Sequence, residues 1–265
     1  MSRGSTINAG LVGLLASAGY TQVPVQRQPV VGILSTGDEV TRGNNASIYS
    51  LEMGKIRDAN GPMLAAALGA RGFGVKIVDL GRVKDSRADL RDAISSAIHR
   101  DDIDVVITTG GVSMGAKDLT KELLENLGTV HFGRLRMKPG KPTTFASVMV
   151  EHQTEGGIPA SRKKVVFSLP GNPVSALVTC NLLVVPALRR LAGVAASLCH
   201  SPRIVVELAH DFPLDPVRNA YHRVRLAWDV AKNRYRVGAC NAGQFGELHF
   251  TITWLFVAVR DDSRL

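Results

Sequence analysis

Asp104-Val-Val-Ile-Thr-Thr-Gly-Gly-Val-Ser-Met-Gly-Ala-Lys-Asp118 changes character twice. Val105–Thr109 is a short apolar run with β-branched residues, which predicts a buried strand. Gly110-Gly111 ends it, where the backbone can turn tightly or approach a ligand closely. Ser113, Gly115 and Asp118 follow, and Leu119–Leu127 then keeps helical spacing. A strand that empties into a Gly-rich loop before a helix offers loop amides and a helix N-terminus to an anion. A βα turn with no ligand accounts for this stretch alone equally well, and Asp118 serves equally well as a helix cap.

On the N-terminal side, Val30-Val-Gly-Ile-Leu-Ser35 predicts a core strand that exits through Thr36-Gly-Asp-Glu39. Thr41–Ser50 reads as a loop, and Asn60 is expected to cap a helix with Pro62 in its first turn, running to Gly72. Val75–Leu80 predicts a second strand, with Gly81-Arg-Val-Lys-Asp85 as its exit loop. Ser86 with Asp89 three residues on marks a helix start, and Leu90, Ile94, Ala97 and Ile98 keep helical spacing. On the C-terminal side, 130–136 and 143–146 are expected to be extended, with a break at Lys138-Pro-Gly-Lys-Pro142. Residues 151–164 are polar and read as a surface loop or hairpin tip, before a strand at Val165–Leu169. Pro170-Gly-Asn-Pro-Val-Ser175 opens a helix running through Leu191, which Pro186 is expected to kink. That helix is apolar nearly all round, which predicts burial or a subunit contact.

This alternation over 30–195 predicts an α/β layered domain with a mostly parallel sheet. Residues 1–29 read as a leading segment with a short helix ending at Gly19, and 200–265 as a small all-β subdomain with strands at 203–208, 221–228 and 235–237. In an open parallel sheet, the loops Thr36–Glu39, Gly81–Asp85, Gly110–Asp118 and Pro170–Ser175 converge at the carboxyl ends of the strands. They bring Asp38, Asp85 and Asp118 together with glycine amides, and Lys138 and Lys141 add positive charge. Carboxylates suit Mg²⁺, and lysines and amides suit phosphate or another oxyanion. Taken singly, Asp38 and Glu39 fit solvated loop carboxylates, and the lysine pair fits a solubilised hairpin. His131 and His222 fit satisfied polar groups in strands.

Composition narrows the field. The balance of 32 basic and 23 acidic residues, net +9, suits an anionic substrate. Scattered basic residues and 5% aromatics argue against nucleic acid. Cys180, Cys199 and Cys240 are too sparse for a disulfide framework and have no zinc-site spacing. The apolar run 250–259 is too short for a spanning helix, so a cytoplasmic protein without a transmembrane segment is expected.

Several blocks resemble the MoeA/gephyrin E-domain family, the molybdopterin molybdenumtransferases. They are Ser35–Glu39, Gly54-Lys-Ile-Arg-Asp-Ala-Asn60, Thr109–Gly115 with Asp118, Met137-Lys-Pro-Gly-Lys-Pro-Thr143 and Leu169–Ser175. Cys180–Leu188 and Tyr221-His-Arg223 are similar to the gephyrin-like branch. The resemblance implies that adenylyl-molybdopterin binds with Mg²⁺, that AMP is hydrolysed off, and that molybdenum from molybdate is placed on the dithiolene. It implies catalytic roles for Asp38, Asp85, Asp118, Lys138 and Lys141, with Asp85 and Asp118 as Mg²⁺ ligands. It implies substrate contacts at Thr36, Gly37, Gly110, Gly111, Ser113, Gly115, Pro142, Pro170, Gly171, Asn172, Ser175 and Arg223. It also implies a homodimer and an adenylyltransferase domain as partner. Residues 1–29 are expected to be a remnant of preceding subdomains, and the C-terminal subdomain to be incomplete, because 247–265 departs from the family pattern. Two rivals stand beside this reading. One is a molybdopterin adenylyltransferase, and the other a non-catalytic, gephyrin-like scaffold with receptor or cytoskeletal contacts.

Overall fold

The structure is a computed structural model that describes residues 4–41, 51–70, 74–111, 119–153, 157–208, 211, 215–230, 232–239 and 255–259. The chain forms two compact units, Met1–Arg134 with Pro142–Ser201, and Leu135–Lys141 with Pro202–Leu265.

The first unit opens with α1 (Ala9–Ser17), capped by the Asn8 side chain, and continues into β1 (Val30–Thr36). A two-stranded pair, β2 (Val40–Thr41) and β3 (Ile56–Arg57), precedes α2 (Asn60–Gly69), β4 (Lys76–Val83), α3 (Arg87–His99), β5 (Val105–Thr109) and α4 (Leu119–Leu127). After β6 (Thr129–Phe132) the chain contributes β7 (Met137–Lys138) to the second unit. It then returns as a long hairpin, β8 (Thr144–Gln153) and β9 (Pro159–Leu169). A continuous helical rod ends the unit, made of α5 (Pro173–Thr179), a π-helical turn at Cys180–Val184, and α6 (Val185–Leu191).

The central sheet has six strands in the order β4-β1-β5-β9-β8-β6. β4, β1, β5 and β9 run parallel, while β8 pairs antiparallel with β9 and β6 antiparallel with β8. Every residue of β1 and β5 is buried, as expected for strands covered on both faces. On one face Leu34, Val106 and Val166 pack with Ile94 and Ile98 of α3 and with Leu123 and Leu124 of α4. On the other, Val31, Ile33, Ile107 and Phe167 pack with Leu64 and Leu68 of α2 and with Ala176, Cys180, Val184 and Leu188 of the rod. The unit is a three-layer α/β/α sandwich, the predicted fold class.

Local chemistry explains most element boundaries. Ser86 caps α3, its Oγ accepting from Asp89 N–H at 3.1 Å. Pro186 has no N–H and would crowd the carbonyl one turn back in a regular α-helix. The rod accommodates it by widening, with Val185 N–H donating to Cys180 O across the π turn. By length and composition Pro173–Leu191 is apolar enough to cross a membrane. Its contacts with the sheet account for that apolarity.

Three expectations are corrected. Asn60 does not cap α2, since the N-cap is Ala59, which makes no side-chain bond. Asp58 takes that part, its Oδ1 accepting from Gly61 N–H at 3.0 Å. β9 begins at Pro159 rather than Val165, because its polar first half alternates against β8. The strand expected over 203–208 reduces to β10 (Glu207–Leu208).

The second unit is a small sheet in the order β10-β12-β11-β13, comprising β10, β11 (Asn219–Asp229), β12 (Arg234–Ala239) and β13 (Leu255–Val259). β7 pairs parallel with the start of β11, matching Met137 to Asn219 and Lys138 to Ala220. Val224, Leu226 and Val237 form its core with Val206.

Candidate functional site

The chain fills the sheet outward from β1, with β4 on one side and β5 on the other. The connection leaving β1 leads to α2 on one face, and the connection leaving β5 leads to α4 on the opposite face. This reversal opens a crevice beyond the carboxyl ends of β1 and β5, the position where open α/β sheets bind ligands.

The crevice is built at backbone resolution. Thr36, at the end of β1, donates through Oγ1 to Thr109 O at 3.2 Å, and Gly110 N–H donates to Leu169 O at 3.1 Å. Gly110 has φ +91°, and a Cβ there would lie 2.5 Å from Thr36 O, so any other residue would strain the backbone and push against β1. Gly111 has φ +64°, and Thr120 at the start of α4 donates to its carbonyl at 3.3 Å. A Cβ on Gly171 would meet Gly110 Cα at 3.4 Å. The chain segments after β1, β5 and β9 thus lie side by side, and Gly110 is the residue whose missing side chain allows the approach.

One rim is acidic. Asp38 and Asp85 are exposed and linked, with Asp85 N–H donating to Asp38 Oδ1 at 3.2 Å. The Asp85 carboxyl is held above its ordinary value, first by desolvation and then by the negative charges of Glu39 and Asp38. Hydrogen bonds from the Asp38 backbone and the Thr36 side chain partly offset this. Gly37 N–H donates to Val83 O at 3.3 Å, and Lys55 Nζ donates to Asp38 O at 2.8 Å. Arg82 donates from Nη1 to the carbonyls of Gly37 and Val40, which ties the loop after β1 to β4. Among the described residues no group of three or more His, Cys, Asp or Glu side chains comes together as a metal set.

The predicted residues therefore divide. Thr36, Gly37, Asp38, Asp85, Gly110, Gly111, Pro170 and Gly171 lie along the ends of β1, β4, β5 and β9. Asn172 caps α5, its side-chain oxygen accepting from Val174 N–H and Ser175 N–H at 3.0 and 3.2 Å. Ser175 is half-buried in the first turn of α5, and Pro142 is half-buried ahead of β8. Ser113, Gly115 and Asp118 lie outside the described residues.

Lys138, Lys141 and Arg223 belong to the second unit. Lys138 is exposed on β7, and Leu135 N–H to Lys141 O, 2.9 Å, closes the loop between the two lysines. Arg223 is exposed on β11, three residues beyond the partner of Lys138. Ser35, Asp58 and Arg82 have no chemical signal in the sequence that marks them, yet each holds a loop of the crevice. Ser35 donates to Asp58 Oδ2 at 2.7 Å, and Asn60 Nδ2 donates to Gly171 O at 2.8 Å.

A three-layer α/β domain with a glycine-floored crevice at its strand-order reversal defines a class of ligand-binding folds. Within it, residues 32–190 match the family described as probable molybdopterin binding domain. The chain belongs to that family. It is 41% identical to the gephyrin of Dictyostelium discoideum over 247 residues, covering 88% of this chain and 34% of the relative. It is 36% identical to the molybdopterin molybdenumtransferase of Haemophilus influenzae over 193 residues, covering 73% of this chain and 43% of the relative. It therefore spans less than half the length of these curated relatives. The crystal structure of the molybdopterin biosynthesis MoeA protein from Pyrococcus horikosii superimposes with a TM-score of 0.67 at 29% identity, covering 91% of this chain and 52% of that one.

Proposed function

We propose that this chain is the catalytic domain of a molybdopterin molybdenumtransferase, which places molybdenum from molybdate on molybdopterin as AMP is released from adenylyl-molybdopterin. The observation that carries this reading is the side-by-side placement of the chain segments after β1, β5 and β9 at Thr36, Gly110 and Gly171. It supports a site for a phosphorylated, flat substrate, because glycine amides can approach phosphate oxygens closely.

Roles follow from the chemistry of each group. The amides of Gly37, Gly110 and Gly111 and the hydroxyl of Thr36 orient phosphate oxygens. On the second unit, the side chains of Lys138, Lys141 and Arg223 carry the positive charge that suits an oxyanion such as molybdate. Water cleaves the phosphoric anhydride, which yields AMP, the molybdopterin phosphate and a proton. In this reading Asp38 and Asp85 hold and orient water and accept that proton. The donor chemistry also fits Mg²⁺: Asp85 is an oxygen ligand in an excess of negative charge, which a cation relieves. When bound, Mg²⁺ would be held by Asp85 and Asp118 and would neutralise the pyrophosphate. A homodimer belongs to the proposal, with the half-buried Leu182 and Leu183 and the exposed Leu191 of the rod available to a second copy.

The test is incubation of folded protein with adenylyl-molybdopterin, Mg²⁺ and molybdate. AMP release that requires both ions is expected. No release above background would overturn the transferase reading. Formation of ATP when pyrophosphate is added, without any molybdate dependence, would favour the adenylyltransferase reading.

A further inference from the structure

We propose that Asn60, held in place by Asp58, is the positioning residue that sets the substrate-facing loop Pro170–Ser175 against Gly110. This rests on the function proposed above for what the loop meets, but the clamp itself is read from geometry.

The network runs through four elements. Ser35, near the end of β1, donates to Asp58 Oδ2 at 2.7 Å. The other carboxylate oxygen, Oδ1, accepts from Gly61 N–H at 3.0 Å and so anchors the first turn of α2 to β1. Asn60, on that first turn, reaches across to the chain beyond β9, and its Nδ2 donates to Gly171 O at 2.8 Å. Gly171 in turn lies beside Gly110, where an added Cβ would make an ordinary van der Waals contact with Gly110 Cα at 3.4 Å. Through one carboxylate and one carboxamide, β1 therefore fixes the height of two other loops of the crevice.

Helix capping does not account for Asn60. The N-cap position is Ala59, and Asn60 lies inside α2. Its stability does not account for it either. Asn60 is 9% exposed, and among the described residues its Oδ1 is buried with no hydrogen-bond partner. A buried acceptor left unmet carries a free-energy cost that an apolar side chain at the same place would not. The compensation is the bond to Gly171 O. The direction of the amide is set by that partner, because a flipped carboxamide would oppose two carbonyl oxygens. A helix-borne side chain that holds a loop's main chain, rather than its side chains, sets the loop's position and not its chemistry. Rigid support of this kind governs whether groups sit within the narrow geometric tolerance that binding and catalysis need.

Asn60→Asp is nearly isosteric and replaces the donor with an acceptor facing Gly171 O. Three readouts separate positioning from bulk structure: the melting midpoint, amide hydrogen exchange along the chain, and molybdopterin binding followed by the pterin's fluorescence. The expected result is a midpoint lowered by several degrees, because a carboxylate now faces a carbonyl, with the amides of 171, 172, 174 and 175 exchanging about tenfold faster and those of β5 and α3 changed far less. Molybdopterin affinity is expected to fall about tenfold in the same variant. Asp58→Ala should reproduce both effects. Asp58→Asn should restore them, because its amide oxygen still accepts from Gly61 N–H and its N–H donates to the Ser35 oxygen. Unchanged loop exchange in Asn60→Asp would overturn the clamp. Faster exchange with unaltered affinity would overturn its role in positioning. If the unmodified chain binds no molybdopterin, the proposed function fails and the exchange measurement alone decides the clamp.

Discussion

Gly110 shows how much a single residue type specifies here. Its φ of +91° and the 2.5 Å approach that a Cβ would make to Thr36 O are two independent reasons for glycine. Gly110→Ala is expected to cost about 2 kcal/mol or more, lowering the melting midpoint by roughly 4–8 °C. Calorimetry checks this, and an unchanged midpoint would mean that the loop is free to move. Asp85 makes the opposite prediction. Its carboxyl pKa is raised in the folded state, so the stability it contributes is present below its ordinary value and lost as pH rises through the folded one. At neutral pH the ionised group is a local cost. Asp85→Asn is therefore expected to raise the midpoint slightly, by roughly 1–2 °C, while abolishing Mg²⁺-dependent AMP release. A lower midpoint together with intact turnover would contradict this. Both residues were legible in the sequence, since a Thr-Gly-Gly after a β-branched run and an Asp at a strand exit announce themselves. Asn60 was visible but misread, because Asn before a helix has a commoner use as a cap. Asp58 and Ser35 carry no local signal, and only their meeting across 23 positions of sequence reveals them.

At the scale of elements, the strands that sequence located best are those buried on both faces. β5 occupies the expected Val105–Thr109, because a continuous β-branched run bounded by glycines has few alternatives. The first half of β9 escaped for an equally physical reason. Its inward positions include Arg162 and Lys164, which break the apolar alternation that marks a strand. Lys164 is nevertheless 2% exposed, its Nζ donating to Arg100 O at 2.7 Å and to Ile103 O. Beside it, Asp104 accepts from Arg27, Arg162 and Val30 N–H, pinning the amino ends of β1, β5 and β9. Desolvation depresses the Lys164 pKa. Between its folded and ordinary values the unfolded chain binds more protons, so this group's contribution to stability rises with pH across that alkaline window. Lys164→Ala is expected to destabilise the fold by about 2–4 kcal/mol and to remove that pH dependence. Urea titrations at two alkaline pH values measure both effects. Equal slopes in the variant and the unmodified chain would count against the buried lysine as their source.

At the scale of the molecule, the layered α/β domain was readable from the order of its runs, and the crevice follows from strand order. The route of 135–141 into the second unit was not, because the two-residue β7 carries no periodicity. A net charge of +9 favours anionic substrates generally, so affinity for adenylyl-molybdopterin is expected to weaken as salt rises. The central claim is narrower: the crevice between β1 and β5, floored by Gly110, receives molybdopterin. A fluorescence titration of molybdopterin against the folded chain and against folded Gly110→Ala tests it most directly. Saturable binding by the unmodified chain and at least tenfold weaker binding by the variant are expected, on the order of the cost of crowding a backbone contact. Equal affinity in the two, or no binding by the unmodified chain, would contradict it.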